Sequence, residues 1–96
     1  MKQPVVYILA NQPNGTLYVG VTSNLAKRIY EHKSHAVEGF TDKYDIGLLV
    51  WYEVHESMES AIVREKALKR WNRAWKIELI EKQNRDWEDL YEDIIF

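Results

Sequence analysis

The hydrophobic positions near the start of the chain follow the pattern of a β-hairpin. Residues 5–9 and 17–21 are mostly β-branched, aromatic or aliphatic, and they flank the segment "NQPNGT" at 11–16. Runs of this composition favour strands. Because Pro13 presets its backbone and Asn–Gly tolerates left-handed conformations, the intervening segment favours a turn. We therefore predict a hairpin over residues 5–21.

Helical and strand patterns follow each other along the rest of the chain. Apolar residues recur at helical spacing after capping residues, and one later run is nearly all apolar, as in a strand covered on both faces. The patterns predict helices at 24–37, 58–71, 75–82 and, shorter, 86–94, a strand at 46–54 and a loop at 38–47. This order predicts an α+β protein with a small antiparallel or mixed three-stranded sheet flanked by helices.

Length and composition narrow the class of protein. The chain has 96 residues, 46% of them hydrophobic, and no cysteine. We expect one domain over residues 1–96, without disulfides or thiolate metal sites. The apolar run at 5–10 is too short for a secretory signal or a membrane span, so we expect no membrane partner and a cytoplasmic location.

Charge is distributed unevenly along the chain. The net charge is −2, yet residues 64–76 hold six basic residues against one acid, and residues 86–93 hold five acids and no base. A basic segment of this kind favours a patch for an anionic partner, although a solvated helix face gives the same pattern.

Two cation-capable residues lie on or beside the apolar stripe of the first predicted helix. At about 100° per residue, His32 falls inside the stripe that Leu25 and Ile29 define, and Arg28 falls at its edge. By themselves, a histidine hydrogen-bonded in the core and an arginine at a helix edge would explain both residues. Together they are candidates for a functional site.

Glu65 lies near the centre of the apolar face of the second long helix. A carboxylate in that position is unfavourable unless it is paired, hydrogen-bonded or bound to a metal. Lys69 at i+4 offers a structural partner, whereas a lone glutamate in an apolar stripe indicates a functional site.

The remaining candidate residues suit phosphodiester chemistry. The chain lacks a second inward carboxylate, a nucleophile elbow, a phosphate-binding glycine loop and an HExxH motif. Two strand tyrosines, an arginine, a histidine and a glutamate remain. An arginine stabilises charge on phosphorus, a carboxylate binds a hard cation, and a tyrosine or histidine moves a proton.

These residues and their order resemble the GIY-YIG endonuclease superfamily. The resemblance rests on "VYIL" (6–9), "LYVG" (17–20), Arg28 and His32, "AIVREKALKRW" (61–71) and Asn84. It covers essentially the whole chain. It is strongest to the small stand-alone bacterial members related to the N-terminal domain of the excision-repair nuclease UvrC. One departure is that Val5 and Val6 stand where the first motif has glycine and isoleucine.

The resemblance implies a three-stranded antiparallel sheet, with a concave active site on one face, and a set of site residues. The implied catalytic residues are Tyr7, Tyr18, Arg28, His32 and Glu65, with Glu65 also the ligand of a single Mg²⁺ (or Mn²⁺) and Asn84 a polar residue near the site. The residues expected to bind nucleic acid are Lys33, Lys43, Lys66, Lys69, Arg70, Arg73 and Asn84.

The functional hypothesis is hydrolysis of DNA phosphodiester bonds, in branched or damaged DNA and in repair or recombination. Tyr18 or Tyr7 would be the general base, directly or through His32, and Arg28 would stabilise charge. The alternatives are a module that binds nucleic acid or protein without cleaving, and a subunit active only with a protein partner. The segment 39–44 is either a rim over the site or a plain connecting loop.

The hairpin register and the role of Gly20 depend on contacts between strands. If paired residue numbers sum to 25, Tyr7 and Tyr18 are cross-strand neighbours on one face. A three-residue loop at 13–15 would instead place them on opposite faces. Gly20 shares a strand face with Tyr18, so we expect the missing side chain to leave room for a reacting phosphate.

Overall fold

The computed structural model describes residues 3–95, which form three strands and five helices. The elements, in chain order, are β1 (Val5–Ala10), β2 (Leu17–Thr22), α1 (Leu25–Lys33), α2 (Phe40–Lys43), β3 (Leu48–Val54), α3 (Met58–Arg70), α4 (Arg73–Gln83) and α5 (Tyr91–Ile94). The strands form one sheet in the order β2-β1-β3, and both pairings are antiparallel. The predicted α+β class with a three-stranded antiparallel sheet is confirmed.

The hairpin register differs from both alternatives that the sequence left open. Tyr7 pairs with Gly20 and Leu9 with Tyr18, so paired residue numbers sum to 27. The shift from 25 is two residues, which preserves which face each side chain occupies. Tyr7 and Tyr18 therefore share a face as diagonal neighbours, not as a direct pair.

The central strand β1 divides two apolar layers. All six of its residues are buried. Val6 and Ile8 face α3 and α4, where Leu68 and Ile80 cover them. Tyr7 and Leu9 belong to the other layer, which α1 and α5 cover; its members are Tyr7, Leu9, Ile29, Ile46 and Leu49, with Tyr18, Leu25, Tyr52, Leu90, Tyr91 and Ile94 packed around them. Burial of this kind contributes roughly 1.5–3 kcal/mol for each large apolar side chain.

The pairing of β3 with β1 contains one irregularity. Ile8 pairs with Trp51 but Leu9 pairs with Leu49, so the ladder skips Val50. Val50 and Trp51 consequently pack in the same layer although they are adjacent in sequence. An extra residue of this kind is a β-bulge, which allows consecutive side chains to serve one face.

The helix α1 ends four residues before its predicted end. His35 has a left-handed backbone (φ 59°), and the amide groups of His35 and Ala36 donate to the carbonyls of His32 and Glu31. This pattern is a Schellman motif, which terminates a helix and is usually built with glycine. Because a histidine takes the glycine's place, the sequence gives no clear stop signal before Gly39, and Ala36 and Val37 lie outside the helix.

Smaller differences affect the other elements. The strand β3 begins at Leu48 instead of 46, α3 ends one residue early, and α4 is longer at both ends than predicted. The predicted loop at 38–47 contains the short helix α2, and only Tyr91–Ile94 of the predicted helix at 86–94 is helical. The left-handed backbone at Trp87 (φ 56°) interrupts that last helix. None of the helices within residues 3–95 has the length and apolarity needed to cross a bilayer.

Candidate active site

The gap that Gly20 leaves in β2 is filled by the ring of Tyr7. A Cβ atom at position 20 would lie 2.5 Å from both Cζ and Oη of Tyr7, far inside contact distance. Tyr7 is 1% exposed, so its ring cannot easily move away. The expectation that Gly20 makes room for a phosphate is wrong, because the Tyr7 ring fills the space that the missing side chain leaves.

Aromatic rings from four elements meet above this point. The Tyr18 ring lies 6.4 Å from the Tyr7 ring and 5.7 Å from the His32 ring, measured between centroids. Phe40 of α2 stacks on the outer side of Tyr18 at 6.4 Å with an interplanar angle of 26°. Tyr18 is partly exposed, whereas Tyr7 is not. The two phenols therefore differ in their access to solvent and substrate.

His32 is buried between Tyr7 and Thr41. Its Nε2 lies 3.3 Å from the Tyr7 hydroxyl, and its Nδ1 lies 2.9 Å from Oγ1 of Thr41. Burial lowers the pKa of His32, and the positive charge of Arg28 lowers it further. Because an ordinary histidine already loses its proton near pH 6.5, His32 is neutral at pH 7.

Arg28 interacts with the Tyr7 hydroxyl. Burial raises the pKa of Tyr7 to about 12, with a further rise from negative charge at Tyr18, while Arg28 acts in the opposite direction. The pKa of Arg28 is itself raised, first by its interaction with the Tyr7 hydroxyl. Its guanidinium is 3.5 Å from a carboxylate oxygen of Glu31 on the next helical turn. At neutral pH the site thus holds a protonated Tyr7 beside a permanent cation.

Glu65 lies on α3 and is mostly buried. Its side chain is 14% exposed, and Oε2 lies 3.2 Å from the ammonium of Lys69. Its negative charge is the weakest of the influences that raise the pKa of Tyr7, after burial and the charge of Tyr18. The i+4 ion pair considered from the sequence is therefore present.

The predicted nucleic-acid contacts divide into exposed and internally bound side chains. Lys66 and Arg70 are exposed on α3, as is Lys43 on α2, where its ammonium lies 5.5 Å from the Tyr44 ring centroid. Lys33 forms an ion pair with Asp89, and Arg73 donates to the carbonyls of the hairpin turn at 14 and 15. Lys33 and Arg73 thus have structural partners that a DNA phosphate would have to replace.

Asn84 requires a correction. It is buried at the end of α4, where its amide nitrogen donates to the carbonyls of Val50 and Glu88 and its oxygen accepts from the Glu88 amide. These bonds attach the chain after α4 to β3. A side chain with its donors and acceptor engaged in this way is a structural tie, and the prediction that it contacts nucleic acid does not fit its surroundings.

Replacing Asn84 by alanine is expected to destabilise the fold by roughly 1–3 kcal/mol. The variant would leave the buried carbonyl of Val50 and the backbone groups of Glu88 without their Asn84 partner. Urea unfolding followed by circular dichroism measures the change, with Asn72→Ala, a helix-capping asparagine at an exposed position, as a reference for the loss of one cap. An unchanged midpoint for Asn84→Ala would contradict the structural role.

Sequence reasoning missed two contributors from α2. Thr41 is buried against His32, and Phe40 covers Tyr18. Of the two interpretations of segment 39–44, the structure supports a rim of the site. No local signal identifies Thr41, because its partner lies nine residues away across a helix end and a loop.

Tyr7, Tyr18, Arg28 and His32 thus meet on one face of the sheet, and the charge of Glu65 on α3 acts on Tyr7 only electrostatically. Residues 3–78 match the GIY-YIG catalytic domain, and the chain belongs to the GIY-YIG family. This is a nuclease fold.

Proteins similar in sequence to this chain include UPF0213 proteins. That of Syntrophus aciditrophicus (strain SB) is 38% identical over 85 residues, which cover 88% of this chain and 95% of the relative. That of Clostridium perfringens (strain 13 / Type A) is 33% identical over 89 residues, which cover 93% of this chain and 95% of the relative. The solution NMR structure of the UPF0213 protein BH0048 from Bacillus halodurans has a TM-score of 0.55 and 26% identity, covering 91% of this chain and 92% of that one. The predicted membership of the GIY-YIG superfamily is confirmed.

Proposed function

We propose that this protein is a metal-dependent endonuclease that hydrolyses phosphodiester bonds of DNA, with a role in repair or recombination. The observation that carries the proposal is the convergence of Tyr7, Tyr18, Arg28 and His32 from three elements. Within a GIY-YIG domain, this set provides a cation for phosphate charge and phenols that bind or move protons.

Each side chain has a role that follows from its surroundings. Tyr18, the more accessible phenol, is the group that accepts the proton of the attacking water. Tyr7, whose pKa is raised to about 12 by burial, retains its proton and holds His32 and Arg28 in position through its hydroxyl. Arg28 stabilises the charge that develops on the pentacoordinate phosphorus.

Glu65 is the side chain that would hold Mg²⁺ (or Mn²⁺). Within residues 3–95, no group of three or more histidine, cysteine or carboxylate side chains is arranged to hold a metal ion, but Mg²⁺ keeps several waters and takes one or two carboxylates together with substrate phosphates. A half-buried carboxylate whose only ion-pair partner in the described residues is the half-exposed Lys69 fits that requirement. When bound, the ion supplies Lewis-acid stabilisation of phosphate charge.

The exposed cations near α3 and α2 would position the DNA backbone. Lys66, Arg70 and Lys43 are accessible, and Lys69 becomes available once Glu65 takes another partner. Contacts of this kind give affinity without base selection. We therefore expect cleavage with little sequence preference.

Plasmid nicking tests the proposal. Protein treated with chelator and then given Mg²⁺ or Mn²⁺ is expected to convert supercoiled plasmid into nicked circles, whereas Arg28→Gln is expected to do so at least about 100-fold more slowly. The control is Arg85→Gln, an exposed arginine on the loop after α4. Equal nicking by wild type and Arg28→Gln would point to a contaminating nuclease or to a different site.

A second candidate is a module that binds nucleic acid or a protein partner without cleaving. One observation favours it. The acidic segment around α5 packs on the same sheet face as Tyr7, and its Asp89 forms an ion pair with Lys33. Negative charge on that face opposes DNA. Salt-dependent DNA binding without cleavage in either metal would support this candidate.

A further inference from the structure

Two aromatic rings at α2 continue the aromatic cluster of the site towards solvent. The ring centroids of Phe40 and Tyr44 are 4.8 Å apart, and that of Phe40 lies 6.4 Å from that of Tyr18. Phe40 is 47% exposed and Tyr44 is 44% exposed, although each already contacts another ring. Single exposed apolar side chains are common, whereas a contiguous exposed cluster beside a functional site indicates a binding surface. Phe40 and Tyr44 together form what we call the aromatic pair.

The fold holds the aromatic pair in place. Its two residues are four positions apart, which brings side chains to the same face of a helical turn, and the Tyr44 amide donates to the Phe40 carbonyl at 3.1 Å. Between them, Thr41 is buried, with its hydroxyl oxygen 2.9 Å from Nδ1 of His32 and its carbonyl accepting from the Ile46 amide at 2.8 Å. Because the rings project from an anchored backbone, less conformational entropy is lost when a ligand binds them.

A cation lies beside the aromatic pair. Lys43 is exposed, and its ammonium lies 5.5 Å from the Tyr44 ring centroid. The acid next to it in sequence, Asp42, has its Oδ1 2.9 Å from Nδ1 of His35. Proteins bind single-stranded nucleic acid with this combination, because bases stack on the exposed rings and the cation contacts the phosphate backbone.

We infer that Phe40 and Tyr44 form a stacking site for unpaired bases of a DNA strand. The Phe40 ring lies against Tyr18, the phenol assigned to the attacking water, so a base stacked on the pair belongs to a nucleotide close to the bond that is cleaved.

The stacking site rests on the proposed nuclease function and defines its substrate class, which is DNA with unpaired bases, such as a single strand, a flap or a gap. In a continuous duplex, neighbouring base pairs cover the faces of each base, and the rings have no access to them. Negative supercoiling favours opening of the duplex, so a supercoiled plasmid also presents such bases.

Fluorescence anisotropy with labelled oligonucleotides tests the stacking site. The probes are a short single strand, the blunt duplex of the same sequence, and an abasic strand of the same length, all with chelator so that no cleavage occurs. Phe40→Leu and Tyr44→Leu, which remove a ring but keep an apolar side chain, are each expected to weaken binding of the single strand by about tenfold, the effect of losing one stacked base, and to leave duplex binding unchanged. The abasic strand is expected to bind the wild type and both variants equally weakly. The matched control is Tyr30→Leu, which removes a 61% exposed ring of α1 outside the pair and is expected to bind like the wild type.

Two results would overturn the inference. One is equal affinity of the wild type for the base-containing and abasic strands. The other is wild-type affinity for the single strand in both Phe40→Leu and Tyr44→Leu, which would assign the exposed rings to another partner, such as a protein. Because Phe40 also covers Tyr18, Tyr44→Leu supplies the test if Phe40→Leu changes the circular dichroism spectrum.

The binding and nicking assays separate this inference from the proposed function. If nicking depends on Arg28 but the aromatic variants bind the single strand like the wild type, the nuclease stands and the stacking site fails. If the aromatic variants lose binding as expected but the wild type nicks no DNA, the proposed function fails and the stacking site stands.

Discussion

Glu65→Gln is expected to lower metal-dependent cleavage by at least about 100-fold. The substitution keeps the size of the side chain but removes the negative charge that would bind the cation. Metal ions contribute several kcal/mol of transition-state stabilisation, and each 1.4 kcal/mol corresponds to a factor of ten in rate. The measurement is the initial rate of plasmid nicking at saturating Mg²⁺, together with Mn²⁺ binding followed by electron paramagnetic resonance.

The chain offers a closely matched control for this variant. Glu78 on α4 forms the same i+4 pair with Lys82, at 4.0 Å, but both side chains are at least 70% exposed. Glu78→Gln is expected to leave cleavage and Mn²⁺ binding unchanged, because a solvated ion pair has little influence on the site. Equal losses in the two variants would show that the effect is not specific to Glu65.

Lys69→Met tests whether Lys69 and the metal compete for the carboxylate of Glu65. If the ammonium of Lys69 and the metal compete for one carboxylate, removal of Lys69 is expected to tighten Mn²⁺ binding even if it weakens DNA binding. Weaker Mn²⁺ binding in Lys69→Met would mean that Glu65 is a structural ion-pair residue and that the metal, if required, binds elsewhere.

Gly20→Ala is expected to destabilise the protein by about 1–3 kcal/mol and to abolish most cleavage. The added methyl would lie 2.5 Å from the end of the Tyr7 ring and 3.0 Å from the Tyr18 ring. Overpacking of a filled site commonly has a destabilising effect of this size. The Tyr7 hydroxyl would also move away from His32. Urea unfolding measures the first effect and the nicking rate the second.

A control glycine and a double variant identify the cause. A Cβ at Gly47 would meet Lys33 at 3.6 Å, an ordinary contact, so Gly47→Ala is expected to be tolerated. In a Tyr7→Leu background, which lacks the clashing atoms, Gly20→Ala is expected to be less destabilising than in the wild type. Additive effects of the two substitutions would contradict a direct contact between Gly20 and Tyr7.

Local patterns in the sequence were sufficient for most of the secondary structure. Alternating and helical periodicities identified the three strands and the two long helices α3 and α4, because burial of one face imposes the same period on sequence and structure. Deviations arose where termination depends on backbone geometry. The end of α1 is an example, since His35 adopts a conformation that usually indicates glycine.

The hairpin register illustrates a different limit. Six residues, 11–16, separate the paired strands, and a loop of that length allows several registers. The choice depends on packing against both layers of the sheet, and on the fit between the Tyr7 ring and Gly20. Tyr7 and Gly20 are thirteen positions apart, so the local periodicity of the sequence does not predict their contact.

The sequence by itself determined the three strands, the longer helices, their order and the list of chemically capable residues, since these depend on side-chain type and spacing. Only the tertiary structure decided what each of them contacts. It placed the Tyr7 ring in the space above Gly20, Thr41 against His32 and Asn84 in an internal hydrogen-bond network. The physical reason is that hydrogen bonds and van der Waals contacts act over a few ångströms in space, and neighbours at that distance are set by the whole packed chain.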